Sequence, residues 1–215
     1  MYHLMSRGDH GERIFGDDTD RSTFLESLGE VCGRTGWRVH SYVLMTNHYH
    51  LLAETPEGNL VGGMRWLQGT YTIRYNLRHG LHGHLFQGRY KAMVLDPEDA
   101  GYSERVSTYL HLNPLRAGLL NRERPRLQSY RWSSYPLYLA KKQTRPAWLD
   151  VERVLAGLGL RDTFGGRLGY ARHMRRHINE WLEAKGRKQQ DQAWDEIRHG
   201  WDMGAARRDP GLIER

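Results

Sequence analysis

The chain has 215 residues, 39% apolar and 27% charged, with a single cysteine, Cys32. That composition can bury a core, excludes a disulfide framework or a cysteine-based zinc site, and contains no run near the roughly 20 apolar residues that a membrane helix needs. The net charge of +7 is unevenly placed: residues 1–120 carry 12 Lys+Arg against 13 Asp+Glu, and the remainder carries 20 against 12.

Residues 2–7 form a candidate first strand, with no apolar run and no small-residue cleavage site around them, so a cytoplasmic location is expected. Asp17-Asp18-Thr19-Asp20 offers N-cap chemistry for a helix to about Arg34, with Phe24, Leu25, Leu28 and Val31 at helical spacing and Gly36 ending it. Trp37 to Met45 is rich in aromatic and β-branched residues and reads as a strand. Thr46-Asn47 turns it into a second strand, His48 to Glu54. After the loop at Pro56 and Gly58, Asn59 is a plausible cap for a helix from Leu60 to His79, with Met64, Leu67, Tyr71 and Tyr75 on one stripe. His84 to Leu95 reads as a third long strand, and Gly88 as a bulge or a place of close approach. Pro97-Glu98-Asp99 opens a helix to about Asn113.

The order β-α-β-β-α-β-α predicts an α+β fold: a split βαβ arrangement with one antiparallel sheet and helices mainly on one face. Beyond Leu120 the chain turns basic. Trp132-Ser133-Ser134-Tyr135 reads as a packed loop, and helices are expected over Trp148 to Leu160, Phe164 to Lys185 and Gln190 to Trp201. We divide the chain into a domain at 1–125 and a basic, mostly helical region at 126–215. The surplus of cations there points to a polyanionic partner, with a merely solubilising surface as the alternative.

His48 and His50 stand two apart on a strand, so both imidazoles share a face while Tyr49 points away. Tyr109 and Asn113 stand four apart on a helix and share a face as well. Two imidazoles and an amide oxygen can hold a divalent ion with open positions, and a phenol one helical turn away can attack a phosphodiester. Ordinary strand histidines and a half-buried core tyrosine are the competing readings. Tyr71 and Tyr75 read as core, His111 as structural, and His79, His82 and His84 as loop residues that need no metal.

His48-Tyr49-His50 within Tyr42 to Leu52, Gly83 to Lys91, Tyr109 to Gly118 and Trp132 to Tyr135 together resemble the REP-associated tyrosine transposases, single-tyrosine HUH proteins related to small insertion-sequence transposases. The resemblance covers roughly residues 2–140. It implies a ferredoxin-like HUH domain, metal ligation by His48, His50 and Asn113, and Tyr109 as nucleophile. It further implies Mg2+ or Mn2+ as cofactor and, as partner, single-stranded DNA with imperfect hairpins formed by palindromic repeats, cleaved to leave a 5′-phosphotyrosine. A homodimer is compatible with this reading. Two departures from the pattern are Tyr49 at the middle position and Pro114 directly after Asn113, which disfavours helical geometry there.

Gln87, Arg89 and Lys91 alternate along the third strand and could track a DNA backbone, or simply form an exposed polar face. Arg116 could clamp a phosphate, Arg7 could touch the displaced strand, and Arg172, Arg175 and Arg176 make a compact patch on the tail helix. A hairpin-binding protein without cleavage and a metal-dependent hydrolase that activates water are the alternatives to a strand transferase.

Overall fold

A computed structural model describes residues 1–96, 100–121 and 125–184. The expected helix opening at Pro97-Glu98-Asp99 and the helix expected over Gln190 to Trp201 lie outside the described residues. The elements are β1 (Tyr2–Arg7), α1 (Asp18–Thr35), β2 (Arg38–Leu44), β3 (His48–Glu54), α2 (Leu60–His79), β4 (Lys91–Val94), α3 (Ala100–Arg116), α4 (Tyr135–Leu139), α5 (Glu152–Gly157) and α6 (Phe164–Ala184), with short 3-10 turns between some of them. The sheet runs β2-β3-β1-β4, and every neighbouring pair is antiparallel.

Local chemistry accounts for the helix limits. The Asp17 carboxylate accepts from the Thr19 and Asp20 backbone N–H groups, and the Asp20 side chain returns a bond to the Asp17 N–H, so both ends of a capping box are made. Gly36 closes α1 in the left-handed region, at φ 70°, where a Cβ would be strained. Asn59 precedes α2 but does not cap it. Its amide instead bridges two other segments, accepting from Trp37 Nε1 at 2.7 Å and donating to the Thr35 carbonyl at 2.9 Å.

Helices cover both faces of the sheet, not mainly one. On the face of Tyr49 sit α1 and α2, joined through the rings of Phe24, Tyr49 and Tyr71, all fully buried, with centroids 4.7 Å (Phe24–Tyr49) and 5.1 Å (Phe24–Tyr71) apart. On the opposite face α3 crosses β2 and β3, where Ser107 Oγ lies 2.6 Å from Ser41 Oγ. The last three helices pack behind α3. Tyr170 of α6 places its hydroxyl 2.8 Å from His111 Nδ1 and 3.2 Å from Ser107 Oγ, and one apolar core continues from Leu4 to Met174.

The free edge of β2 is covered by the chain after α3. Leu44 N–H donates to Trp132 O, Ser134 N–H to Tyr42 O, and Val39 exchanges bonds with Trp148 and Asp150. A capped edge has no row of open donors and acceptors to offer another strand. The third expected strand is much shorter than its composition suggests. Only Lys91–Val94 pairs as a strand, with a single bridge from Phe86 to Gly8 before it. Gly88 sits at φ 62°, and Gln87 turns back to donate its N–H to the Arg7 carbonyl. Gln87 and Arg89 therefore lie on a loop, and the strand alternation expected to align them with Lys91 does not exist.

Candidate active site

The β2–β3 hairpin positions the histidine pair. Met45 N–H closes the turn on the His48 carbonyl at 2.8 Å, and Asn47 is pinned from both sides. Its carbonyl accepts from Gly8 N–H at 2.8 Å and its side-chain amide donates to the Gly11 carbonyl at 3.0 Å. Only glycine fits at position 8, because a Cβ there would fall 2.0 Å from the Glu12 carbonyl oxygen. So held, Asn47 presents its side-chain oxygen 2.8 Å from His48 Nδ1.

Alternation along β3 turns His48 and His50 to one face and sends Tyr49 fully inside the other, against Phe24 and Phe86. The two imidazole centroids are 5.2 Å apart at an interplanar angle of 88°. Antiparallel pairing sets Met5 opposite His50 and Arg7 opposite His48. The same strand face therefore carries His3, whose Nε2 lies 3.1 Å from His50 Nδ1. Sequence reasoning passed over His3; the signal lay in the alternation of residues 3, 5 and 7 beside β3, which needs the strand register to be read.

Helix α3 lays its own row over this face. The Tyr109 ring stands edge-on to His50 with centroids 5.8 Å apart and to His3 at 6.1 Å, and it is 8% exposed. The Arg116 guanidinium carbon lies 5.4 Å from the Tyr109 ring centroid, within cation–π range. Asn113 sits between them in the helical row, and α3 runs through Pro114 to Arg116 without ending. Its side-chain N–H donates to the Tyr109 carbonyl at 3.3 Å, leaving the amide oxygen as its acceptor atom. One turn further on, Ala117 shares a hollow with Arg13, Asn47 and His48. The row Tyr109, Asn113, Ala117 thus tracks from His50 towards His48. A wider hollow bounded by Trp37, Arg145 and Trp148 includes none of the candidate residues.

Burial sets the charge state. Desolvation, helped by the Arg7 charge, pushes the His48 imidazole down to about 4. Desolvation with His3 and His48 beside it holds His50 well below its ordinary value, and desolvation takes His3 to about 3. Neutral imidazole is the ligand form. A proton on His48 Nδ1 donated to Asn47 leaves the lone pair on Nε2, and His3 can fix the His50 tautomer in the same way. Two neutral, oriented imidazoles with an amide oxygen in the facing helix row suit a divalent ion such as Mn2+.

The remaining candidates separate into two groups. Arg7 and Gln87 come together at 2.8 Å (Nε to Oε1) on the rim beside His48. Arg89 and Lys91 are exposed nearby on the loop and on β4. Arg172, Arg175 and Arg176 are exposed on α6. Arg175 shares a surface groove with Arg126 and Gln128. Tyr71 and Tyr75 are core residues, His79 pairs with Asp20 at 3.0 Å, and His111 is fully buried between Tyr170 and Ser134.

Comparison with known proteins came to the same region. The sequence model of the family described as "Transposase IS200 like" matches residues 1–113. A search of the curated proteins matches none to this chain. Among solved structures, the REP-associated tyrosine transposase bound to a REP hairpin aligns with a TM-score of 0.52 at 15% identity, over 70% of this chain and 86% of that one. A Deinococcus radiodurans chain described as a candidate transposase aligns at 16% identity with a TM-score of 0.38, over 49% of this chain and 85% of its own.

Proposed function

Because the chain belongs to the IS200-like transposase family, whose members process DNA, we propose that it cleaves and rejoins single-stranded DNA through Tyr109. The observation that supports this most is the shared face on which His48, His50, Tyr109 and Arg116 meet. In this reading residues 1–125 hold the reaction and residues 126–215 add a basic grip on the substrate. The substrate in this reading is single-stranded DNA folded into imperfect hairpins, a reading supported by the REP hairpin to which the REP-associated tyrosine transposase is bound.

His48, His50 and Asn113 would hold a divalent ion, Mg2+ or Mn2+, which when bound polarises the scissile phosphate and offsets its growing charge. The Tyr109 oxygen gives up its proton and forms a bond to phosphorus as the P–O3′ bond breaks, so one proton is released and one taken up. The departing 3′ oxygen takes up a proton and leaves as a hydroxyl, and the phosphate stays on the 5′ side as a phosphotyrosine ester. That ester keeps the bond energy, so attack by a second 3′-hydroxyl rejoins strands without ATP. Arg116, above the Tyr109 ring, supplies a bidentate cation to the phosphate oxygens. Arg7, held by Gln87 at the rim beside His48, guides the strand into place, and Arg89 and Lys91 extend that basic rim.

The test uses labelled single-stranded oligonucleotides that fold into imperfect hairpins, incubated with the protein and Mg2+, Mn2+ or EDTA and run on a denaturing gel. A protein-linked band that needs the ion is expected. Binding with no linked band under either Mg2+ or Mn2+ would leave a hairpin-binding protein without cleavage. Cleavage with no linked band would leave a hydrolase that activates water.

A further inference from the structure

A second cluster of metal-ligand residues lies behind α3, away from the histidine pair. His173 and His177 stand four apart on α6 and so share one face, their ring centroids 4.5 Å apart. Glu104 of α3 meets them, with Oε1 2.8 Å from His173 Nε2. One donor atom from each of the three residues lies within 4.8 Å of the others. Thr108 adds a hydroxyl 2.9 Å from His173 Nε2 and 3.0 Å from Glu104 Oε1. Glu180, at one turn beyond His177, holds that ring by Nδ1 at 2.8 Å.

We propose that Glu104, His173 and His177 form a binding site for Zn2+ or a similar borderline transition-metal ion, which clamps α6 to the helix that carries Tyr109. The donor set is two imidazoles and one carboxylate, the combination that suits zinc and its neighbours and is poorly matched to Mg2+. Donors around a metal with bonds of about 2.1 Å lie roughly 3–3.5 Å apart, so binding needs the 4.8 Å span to close by a little more than about 1 Å. Glu180, on His177 Nδ1, occupies the position from which an outer partner orients a ligand through its other ring nitrogen. The side chains of His173, Glu104 and His177 are 10%, 14% and 30% exposed, so an ion can enter from solvent and keep water in its open positions.

The site shares no residue with the first one. Glu104 and Tyr109 are five residues apart, about 140° around the helix, so α3 carries one cluster on each side. The consequence of binding is mechanical: α6, with Arg172, Arg175 and Arg176 on its outer face, becomes fixed to the helix of the candidate nucleophile.

The experiment uses the full-length protein with His48→Ala and His50→Ala, so that only other sites can be read. Zn2+ affinity is measured by competition with a chromophoric chelator, and Co2+ binding by its visible absorption. We expect one equivalent of Zn2+, a Co2+ spectrum, and a rise in Tm with added Zn2+. Adding His177→Ala or, with the side-chain shape kept, Glu104→Gln should weaken binding by tenfold or more and remove the Tm rise, with circular dichroism confirming the fold. Failure of the double variant to bind Zn2+ would overturn the proposal. Binding that survives both His177→Ala and Glu104→Gln would do the same, since the ion would then sit elsewhere.

Discussion

The two faces of the sheet are built from alternate residues of the same strands and have opposite chemistry. On one side Tyr49, Phe24, Tyr71 and Phe86 make an aromatic layer under α1 and α2. On the other, His3, His48, His50 and Ser41 face α3, and imidazole rings and hydroxyls that also hydrogen-bond take the place of the aromatic layer. A one-residue slip of β3 would exchange the two sets, burying the imidazoles in the aromatic layer. The comparison teaches that the aromatic face fixes the register and the polar face depends on it. Tyr49 serves the histidine pair by anchoring the strand from behind.

Breaking the aromatic face should have the largest effect. Tyr49→Ala is expected to cost about 3–5 kcal/mol of unfolding free energy, measured by urea titration, since a fully buried ring leaves a cavity. Tyr49→Phe keeps the ring and gives up the hydroxyl's bond from Gln68, about 1 kcal/mol. Equal losses for the two variants would mean that the hydroxyl, not the ring, holds the strand.

On the polar face the expected losses fall on ion affinity more than on stability. His3→Leu should weaken Mn2+ binding by about 10–100-fold while the protein still unfolds cooperatively, because His3 orients His50 from behind. Unchanged affinity, read by electron paramagnetic resonance titration, would make His3 a packing residue.

Acid should act on the side of α3. Burial pushes His111 down to about 3, so the folded state stays unprotonated while unfolded imidazoles take up protons below about 6.5. Stability from this group is therefore complete above pH 6.5 and lost as pH falls from there towards about 3. The slope is roughly 1.4 kcal/mol per pH unit. Urea midpoints at pH 7, 6 and 5 check it, and His111→Gln should lower the slope by about that much, leaving the share of His3, His48 and His50.

The smallest effect is expected on neither face. Replacing Arg172, Arg175 and Arg176 by Ala should leave stability unchanged. It should reduce the slope of log affinity against log salt for a hairpin oligonucleotide by up to about 2 units. An unchanged slope would make the outer face of α6 a bystander.

Much of this arrangement is legible in the sequence, for local reasons. Caps at Asp17, Gly36 and Gly80 delimit α1 and α2, and the alternation of His48, Tyr49 and His50 already separates the two faces. What local pattern cannot carry is long-range placement. His84 to Leu95 has the composition of a strand, yet the tie between Gln87 and Arg7 and the left-handed Gly88 turn most of it into a loop. Helix α3 could have packed on either face by its own periodicity. His3 joins the site only through the pairing of β1 with β3, and Glu104 meets His173 and His177 only because α6 returns across α3. The His-x-x-x-His spacing on an expected helix was readable, but its carboxylate partner was not.

The central claim is that Tyr109 is the residue joined to DNA. Wild-type protein and Tyr109→Phe are incubated with a single-stranded hairpin oligonucleotide and Mn2+, and any linked product is digested and sequenced by mass spectrometry. The account predicts a 5′-phosphotyrosine peptide spanning Arg105 to Leu115 in the wild type, and in Tyr109→Phe no linked product with hairpin affinity preserved. A linked product that persists in Tyr109→Phe, or that maps to another tyrosine, would contradict it.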